Sequence, residues 1–142
     1  MTIIPSLEDR KQLLLGRVPM FVYATLKKGF VNNYLLDNSI YIGNATTCER
    51  LILVSNFGTP VLIKNEQCST YGKLIKGEVY GVQGTNILDQ LEGVGYQTLP
   101  FIMPCIFDDD ETRRIICCRT YLDDSIGQYV DYENEEFLDE WV

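Results

Sequence analysis

Apolar runs alternate with polar breaks along this chain, and most of the runs read as strands. Residues 20–23, Met20-Phe21-Val22-Tyr23, follow Pro19 and are rich in strand formers. The run stops on Ala24-Thr25 and passes through Lys27-Lys28-Gly29. Residues 32–37 then read as one or two helical turns, with Asn32 and Asn33 at the start, where caps belong. Further on, residues 39–55 divide into two predicted strands, one around Tyr41 and Ile42 and one over Leu51-Ile52-Leu53-Val54. Residues 59–63 form a short strand after a turn, and 64–71 are polar and read as a loop. The segment 72–82 alternates, with Leu74, Ile75, Val79 and Tyr80 set among Lys73, Lys76 and Glu78, which predicts a strand. A short helix is expected over 84–92 with Thr85 near its cap. Two strands, 96–107 and 112–122, are expected to join through the acidic stretch 108–111. Ahead of all this, residues 6–16 read as a helix capped by Ser6, with Asp9 three residues on and Gly16 to end it. Leu7, Leu13, Leu14 and Leu15 supply its apolar side. The pattern as a whole predicts an α+β protein with more strand than helix.

Composition narrows the setting. The 142 residues, 46% hydrophobic and 11% aromatic, fit one domain over 1–142 with a single core. Residues 1–17 would be a helical extension and 123–142 an acidic tail. No apolar run is long enough to span a bilayer, and the N-terminus lacks the basic-then-apolar form of a signal peptide, so a cytoplasmic protein is expected. Five cysteines without a Cys-x-x-Cys pair argue for free thiols. The adjacent Cys117 and Cys118 would face opposite sides of a strand. There is no histidine, which removes Ser-His and Cys-His catalysis and most zinc sites. The stretch 108–111 lacks the alternating oxygens and the glycine of a calcium loop, so it reads as a hairpin turn and no metal is expected.

The net charge of −8 is local. Residues 123–142 hold eight acidic residues and no Lys or Arg, while the remainder balances at twelve of each sign. No basic stripe is available to offset phosphates, so nucleic acid is not an expected partner. Within this tail Phe137, Leu138 and Trp141 are spaced for one helical turn that docks. If the tail is peripheral, removing 131–142 is expected to leave activity largely intact.

Two places could carry chemistry. A strand that breaks into a loop before a helix, as at 20–37, leaves backbone N–H groups that can converge on an anion or a carbonyl. The same pattern also suits an ordinary junction that binds nothing. In the helix over 84–92, at roughly 100° per residue, Ile87, Leu88 and Leu91 span one face. Glu92 falls about 40° beyond its edge, and Asp89 points further towards solvent. Glu92 is also the last residue before Gly93, at the negative end of the helix dipole. The dipole and any burial would disfavour its charged form there, so its pKa is expected to rise. The alternative is a helix-terminal glutamate that reaches water.

Three motifs occur in order. They are Val22-Tyr23-Ala24-Thr25-Leu26-Lys27-Lys28-Gly29 with Asn33 beyond it, then Gly77-Glu78-Val79-Tyr80, then Leu88-Asp89-Gln90-Leu91-Glu92-Gly93. Over roughly residues 18–122 the chain resembles the γ-glutamyl cyclotransferase family, and within it the γ-glutamylamine cyclotransferase branch. The resemblance implies a small mixed sheet, closed or nearly closed like a barrel, flanked by short helices. It implies a small γ-glutamyl substrate, no cofactor, and Glu92 as catalytic acid and base. Tyr23, Ala24, Thr25 and Leu26 would hold the glutamyl part, and Tyr96 and Tyr121 would line the pocket. Both tyrosines could equally be core aromatics with a wet hydroxyl. One position departs from the family: Ala24 stands where it carries glycine. If that glycine needs φ > 0, alanine strains the loop, and the alternative is an inactive member acting as a binding or interaction module.

Overall fold

The longest strand organises the molecule. In the computed structural model, which describes residues 7–23, 27, 39–56, 59–83, 101–120, 122, 130–134 and 136–141, the order along the chain is α1 (Leu7–Leu13), β1 (Val18–Val22), β2 (Ile40–Asn56), β3 (Thr59–Ile63), α2 (Cys68–Tyr71), β4 (Lys73–Val82), β5 (Phe101–Phe107) and β6 (Ile115–Thr120). Among the described residues the strands pair in the order β3-β2-β4-β1-β6-β5. β5 also pairs back onto β2 through Ala45↔Phe107, Thr46↔Ile106 and Thr47↔Cys105. That pairing closes five strands into a ring, with β3 attached outside it on β2. β1 and β6 run parallel, in register at Met20↔Arg119, and the other pairs are antiparallel. This is the mixed, ring-like sheet with short helices that the family resemblance implies.

β2 corrects the reading of two strands over 39–55. It is one strand of 17 residues. Straight, it would span about 56 Å, too long for so small a ring. Register shifts between Tyr41 and Gly43 and between Thr46 and Arg50 bend it, so one strand serves β4, β5 and β3 in turn. The polar middle, Thr46-Thr47-Cys48-Glu49-Arg50, hides this continuity from a hydrophobicity pattern. From Leu51 to Val54 the strand is buried on both faces, as is β3 at Val61-Leu62-Ile63, which is why both read as unbroken apolar runs. The expected strands at 59–63, 72–82 and 112–122 are present as β3, β4 and β6. The one expected from 96 starts at Phe101 among the described residues.

The loop expected at 64–71 contains α2, a single turn. The side chain of Asn65 starts it by accepting from the Gln67 N–H at 2.9 Å, and the buried Cys68 anchors it to the core. Four residues are too few for a helical period to show in sequence. The turn between β5 and β6 is the expected hairpin. Thr46 Oγ1 donates to Asp108 at 2.6 Å, and Asp110 accepts from Thr112 Oγ1 at 2.6 Å and from the N–H groups of Thr112 and Arg114. The Thr112 hydroxyl, with those amides, holds the Asp110 carboxyl below the usual carboxylate range.

α1 forms within the predicted 6–16 and ends through a turn at Gly16, whose φ of +76° is the left-handed conformation that favours glycine. Of the expected leucine side Leu14 packs against the core cluster, while Leu13 and Leu15 are 42% and 67% exposed. Arg10, 2% exposed, is the deeper anchor. Its guanidinium lies 4.2 Å over the Phe107 ring, gives Nη2 to the Asp109 carboxylate at 2.7 Å and Nε to the Ile42 carbonyl at 3.3 Å. A buried cation tolerates its surroundings only while paired. Asp109→Ala is therefore expected to lower unfolding stability by about 1–3 kcal/mol, below the full value for a buried pair because Asp109 is itself partly solvated. Urea unfolding checks this; an unchanged midpoint would show that the stack on Phe107 suffices.

Among the described residues of the tail, Leu138 and Asp139 join the sheet, and Phe137, Leu138 and Trp141 do not form the expected helical turn. Phe137, Leu138 and Trp141 pack on the core, with Val130 and Tyr132. The Phe137 ring lies 5.8 Å from Tyr71 and 6.0 Å from Tyr132. Leu138 forms a bridge with Leu53, its N–H donating to the Leu53 carbonyl at 3.0 Å, and the Lys76 N–H donates to the Asp139 carbonyl at 2.8 Å. An extended segment satisfies both strand groups, whereas a helical turn would keep its backbone bonds to itself. The condition for removing 131–142 at little cost, a peripheral tail, is not met at Phe137, Leu138 and Trp141, so truncation is expected to cost stability. Among the described residues no helix is long and apolar enough to cross a membrane.

Candidate functional site

β1 sits between β4 and β6 and buries both its faces. Phe21, followed by Tyr23 just past the strand, faces the main core cluster. Met20 and Val22 lie on the opposite face with their cross-strand partners Tyr80 and Glu78; Met20, Val22 and Tyr80 are buried and Glu78 half-buried. At the carboxyl end of β1 the strands approach closely. A Cβ placed on Gly77 would lie 2.5 Å from the Val22 carbonyl oxygen and 2.6 Å from the Phe21 ring. Glycine opens the Gly77-Glu78-Val79-Tyr80 motif because only a bare Cα lets the end of β1 lie there. On the other side, the buried Thr120 hydroxyl of β6 donates to the Phe21 carbonyl at 3.0 Å. The first two sequence motifs, far apart in the chain, are thus neighbours in the sheet.

Of the predicted site residues, Tyr23 is described: it is 6% exposed at the end of β1 and part of the core cluster. Ala24, Thr25, Leu26, Glu92, Tyr96 and Tyr121 lie outside the described residues, as do the predicted helices over 32–37 and 84–92. β1 and β6 are parallel, so Val22 and Thr120 end their strands at the same end of the ring.

Two functional candidates escaped the sequence reading. Glu78, half-buried beside Val22, accepts from the Tyr80 hydroxyl at 3.1 Å. Period-two alternation in Gly77-Glu78-Val79-Tyr80 could have placed those two side chains on one face. Lys27, four residues past Tyr23, is 6% exposed. Its ammonium donates to the Trp141 carbonyl at 2.7 Å and lies 3.7 Å from the Glu140 carboxylate. No local signal marks that contact, since its partners lie at the far end of the chain.

Two surface cavities flank the 108–113 turn. One of about 490 Å³ is lined by residues including Arg10, Tyr41, Asn44 and Asp109. The other, about 310 Å³, is lined by residues including Thr46, Cys48, Leu74 and Arg113. Neither is lined by Tyr23, Lys27 or Glu78, and of their charged groups Arg10 pairs with Asp109 and Asp108 accepts from Thr46. All five cysteines are free thiols. Cys117 is exposed and Cys118 buried, on opposite sides of β6 as alternation predicts. A hydrogen bond with Cys118, followed by burial, pushes the Cys105 thiol far up, so it stays protonated and is a poor nucleophile.

A family model described as gamma-glutamyl cyclotransferase, AIG2-like, matches residues 20–139. The crystal structure of an AIG2-like protein from Mus musculus superposes with a TM-score of 0.72 at 21% identity, covering 89% of this chain and 88% of that one. A structure described as gamma-glutamyl cyclotransferase superposes with a TM-score of 0.53 at 16% identity, covering 84% of this chain and 69% of the other. At these identities the likeness shows the fold. A curated sequence, the probable UDP-N-acetylglucosamine pyrophosphorylase of Acanthamoeba polyphaga mimivirus, is 36% identical over 64 residues, 40% of this chain. The match spans only 24% of that relative's length.

Proposed function

Because the chain belongs to the gamma-glutamyl cyclotransferase, AIG2-like family, we propose that it is a cyclotransferase that releases 5-oxoproline and a free amine from a γ-glutamyl compound. The observation that carries this reading is the meeting of the first two family motifs at the carboxyl end of β1, where Val22 pairs with Glu78 and Gly77 lies against the Val22 carbonyl. The substrate's α-amine attacks its own γ-carbonyl, a five-membered ring closes, and the amine on the far side of the carbonyl leaves. Both reacting groups are in one molecule, so the protein's main task is to fold the substrate, and well-oriented intramolecular attack reaches effective molarities on the order of 10⁵–10⁸ M. The α-amine arrives as an ammonium and must lose a proton, and the leaving amine must gain one. In this reading Glu92 takes the first and returns it, a step worth roughly 10²–10⁴-fold. Backbone N–H groups of 23–26 hold the glutamyl part and the developing oxyanion, with Tyr96 and Tyr121 beside it. The chemistry itself calls for no cofactor.

The motif form favours γ-glutamylamines, γ-glutamyl-lysine for example, over glutathione and γ-glutamyl amino acids. We also take 1–142 as one domain and the cytoplasm as its compartment, supported by five free thiols. The test is release of 5-oxoproline from γ-glutamyl-lysine, γ-glutamyl-alanine and glutathione, with the first turned over best. No release from any of the three, with 5-oxoproline still bound in calorimetry, would favour a binding module instead. Ala24 motivates that second reading. If the family's glycine has φ > 0, alanine costs about 1 kcal/mol. Ala24→Gly is then expected to raise kcat/KM by about fivefold. An inert or harmful effect would show that alanine is native to this pocket.

A further inference from the structure

The cavity of about 490 Å³ beside the 108–113 turn has a wall that the family match does not include. α1 supplies Arg10 and Leu13 to it, whereas the matched residues begin at 20. A concavity of this size suits a small molecule. Leu13 and the Tyr41 ring give it uncovered apolar surface, for both residues are exposed. Its polar groups are of both signs. Arg10, 2% exposed, gives Nε to the Ile42 carbonyl and Nη2 to Asp109, and its Nη1 makes no hydrogen bond among the described residues. A donor on so buried a side chain is costly to leave without an acceptor. The Tyr41 hydroxyl donates to Asn44 Oδ1 at 2.5 Å, which leaves the Asn44 amide nitrogen as a second donor. Burial, then the Glu78 and Asp109 carboxylates, push the Tyr41 hydroxyl above the ordinary tyrosine value, so it keeps its proton and that bond. Two carboxylates line the same cavity. Asp108 uses Oδ1 to accept from the Thr46 hydroxyl, and Asp109 remains partly solvated beyond its pair with Arg10. One cation against two carboxylates leaves the lining with an excess of one negative charge.

We propose that this cavity binds an apolar α-amino acid as its zwitterion. The carboxylate of the ligand takes Arg10 Nη1 and the Asn44 amide, its ammonium lies on Asp108 and Asp109, and its side chain lies against Leu13 and Tyr41. A cation alone would leave the two donors without an acceptor. An anion alone would meet two carboxylates. The zwitterion satisfies both sets of groups, and its bonds to them are charge-assisted. The site goes beyond the cyclotransferase reading and does not depend on it, since α1, the start of β2 and residues 108–109 build it.

The test is titration of the whole chain with L-leucine, followed by calorimetry and by the amide chemical shifts of residues 10–13, 41–44 and 108–109. Leucine is expected to bind at one site and to move those amides. Leucinamide lacks the carboxylate and 4-methylpentanoate lacks the ammonium, so each should bind about tenfold more weakly. L-Aspartate, which brings a further carboxylate to Asp108 and Asp109, should bind more weakly still. Asn44→Ala and Asp108→Asn are each expected to weaken leucine binding by about tenfold, and Leu13→Asn by about fivefold. These three side chains are solvent-exposed, and the asparagine at 108 still accepts from Thr46, so the fold is retained. Arg10 is left in place because its loss would break the buried pair. If leucine moves none of these amides at about 50 mM, the proposal is overturned. Leucine binding that is unchanged in all three variants, or no tighter than that of leucinamide and 4-methylpentanoate, overturns it as well. Should one variant not fold, the other two and the truncated ligands decide. Because the readout is binding, an absence of 5-oxoproline release would count against the cyclotransferase reading and not against this site.

Discussion

Glu92→Gln is expected to lower turnover by roughly 10²–10⁴-fold while 5-oxoproline binding stays within a few-fold. Glutamine keeps the shape and the hydrogen-bonding capacity of the side chain but cannot accept a proton at neutral pH. Under the proposed reaction the carboxylate acts only in moving a proton from the α-amine to the leaving group, and binding is the work of the loop after β1. The effect should therefore fall on kcat. In the sequence reading Glu92 would lie beside an apolar face at the end of a helix, where the dipole and any burial would favour a carboxyl poised to exchange protons. Asp89→Asn, further from that face, is the control and should change little. The measurement is 5-oxoproline release from γ-glutamyl-lysine, with calorimetry for binding. A Glu92→Gln protein that retains the wild-type rate would remove Glu92 as the base.

Gly77→Ala carries the second large effect, and it acts on the fold and the candidate site together. The added methyl group would meet the Val22 carbonyl oxygen at 2.5 Å and the Phe21 ring at 2.6 Å. The carbonyl is backbone and cannot rotate aside, so the end of β1 must move away from β4. Overpacking of this kind is expected to lower unfolding stability by about 3 kcal/mol. The displaced residues adjoin Tyr23, so KM for the γ-glutamyl substrate should rise as well. Gly16→Ala separates this from the general cost of losing a glycine: its φ is +76° but nothing lies within 4 Å of an added Cβ. That change should cost only about 1 kcal/mol and leave KM alone. Gly77→Ala unfolding at the wild-type urea concentration would show that the two strands tolerate the wider spacing.

Where a neighbouring stretch of chain sets the structure, the sequence was readable. β1, β3, β4 and the β5–β6 hairpin follow from apolar runs, alternation and an acidic turn, because side-chain direction along a strand has a period of two. The same period put Cys117 outside and Cys118 inside. Gly16 ended α1 because a left-handed residue there favours glycine. The three ordered motifs led to the family, and two of them turned out to be adjacent at the end of β1.

Tertiary structure decided the rest, at positions whose partners are remote. β2 read as two strands because its polar middle is held by pairing with β4 and β5. Arg10 looked like one charge on a helix until Phe107, Asp109 and Ile42 surrounded it, and those residues lie 32 to 99 positions away. The tail had a helical spacing of apolar residues but became extended, because the Leu53 carbonyl and the Lys76 N–H offered it backbone partners. Lys27 was an ordinary loop lysine in the sequence, and its partner Trp141 lies 114 residues on. Local steric preference and side-chain period are properties of a short stretch and can be read from it. Which distant backbone group or charge will meet a given residue depends on how the ring closes, and that is fixed by the free energy of the whole chain.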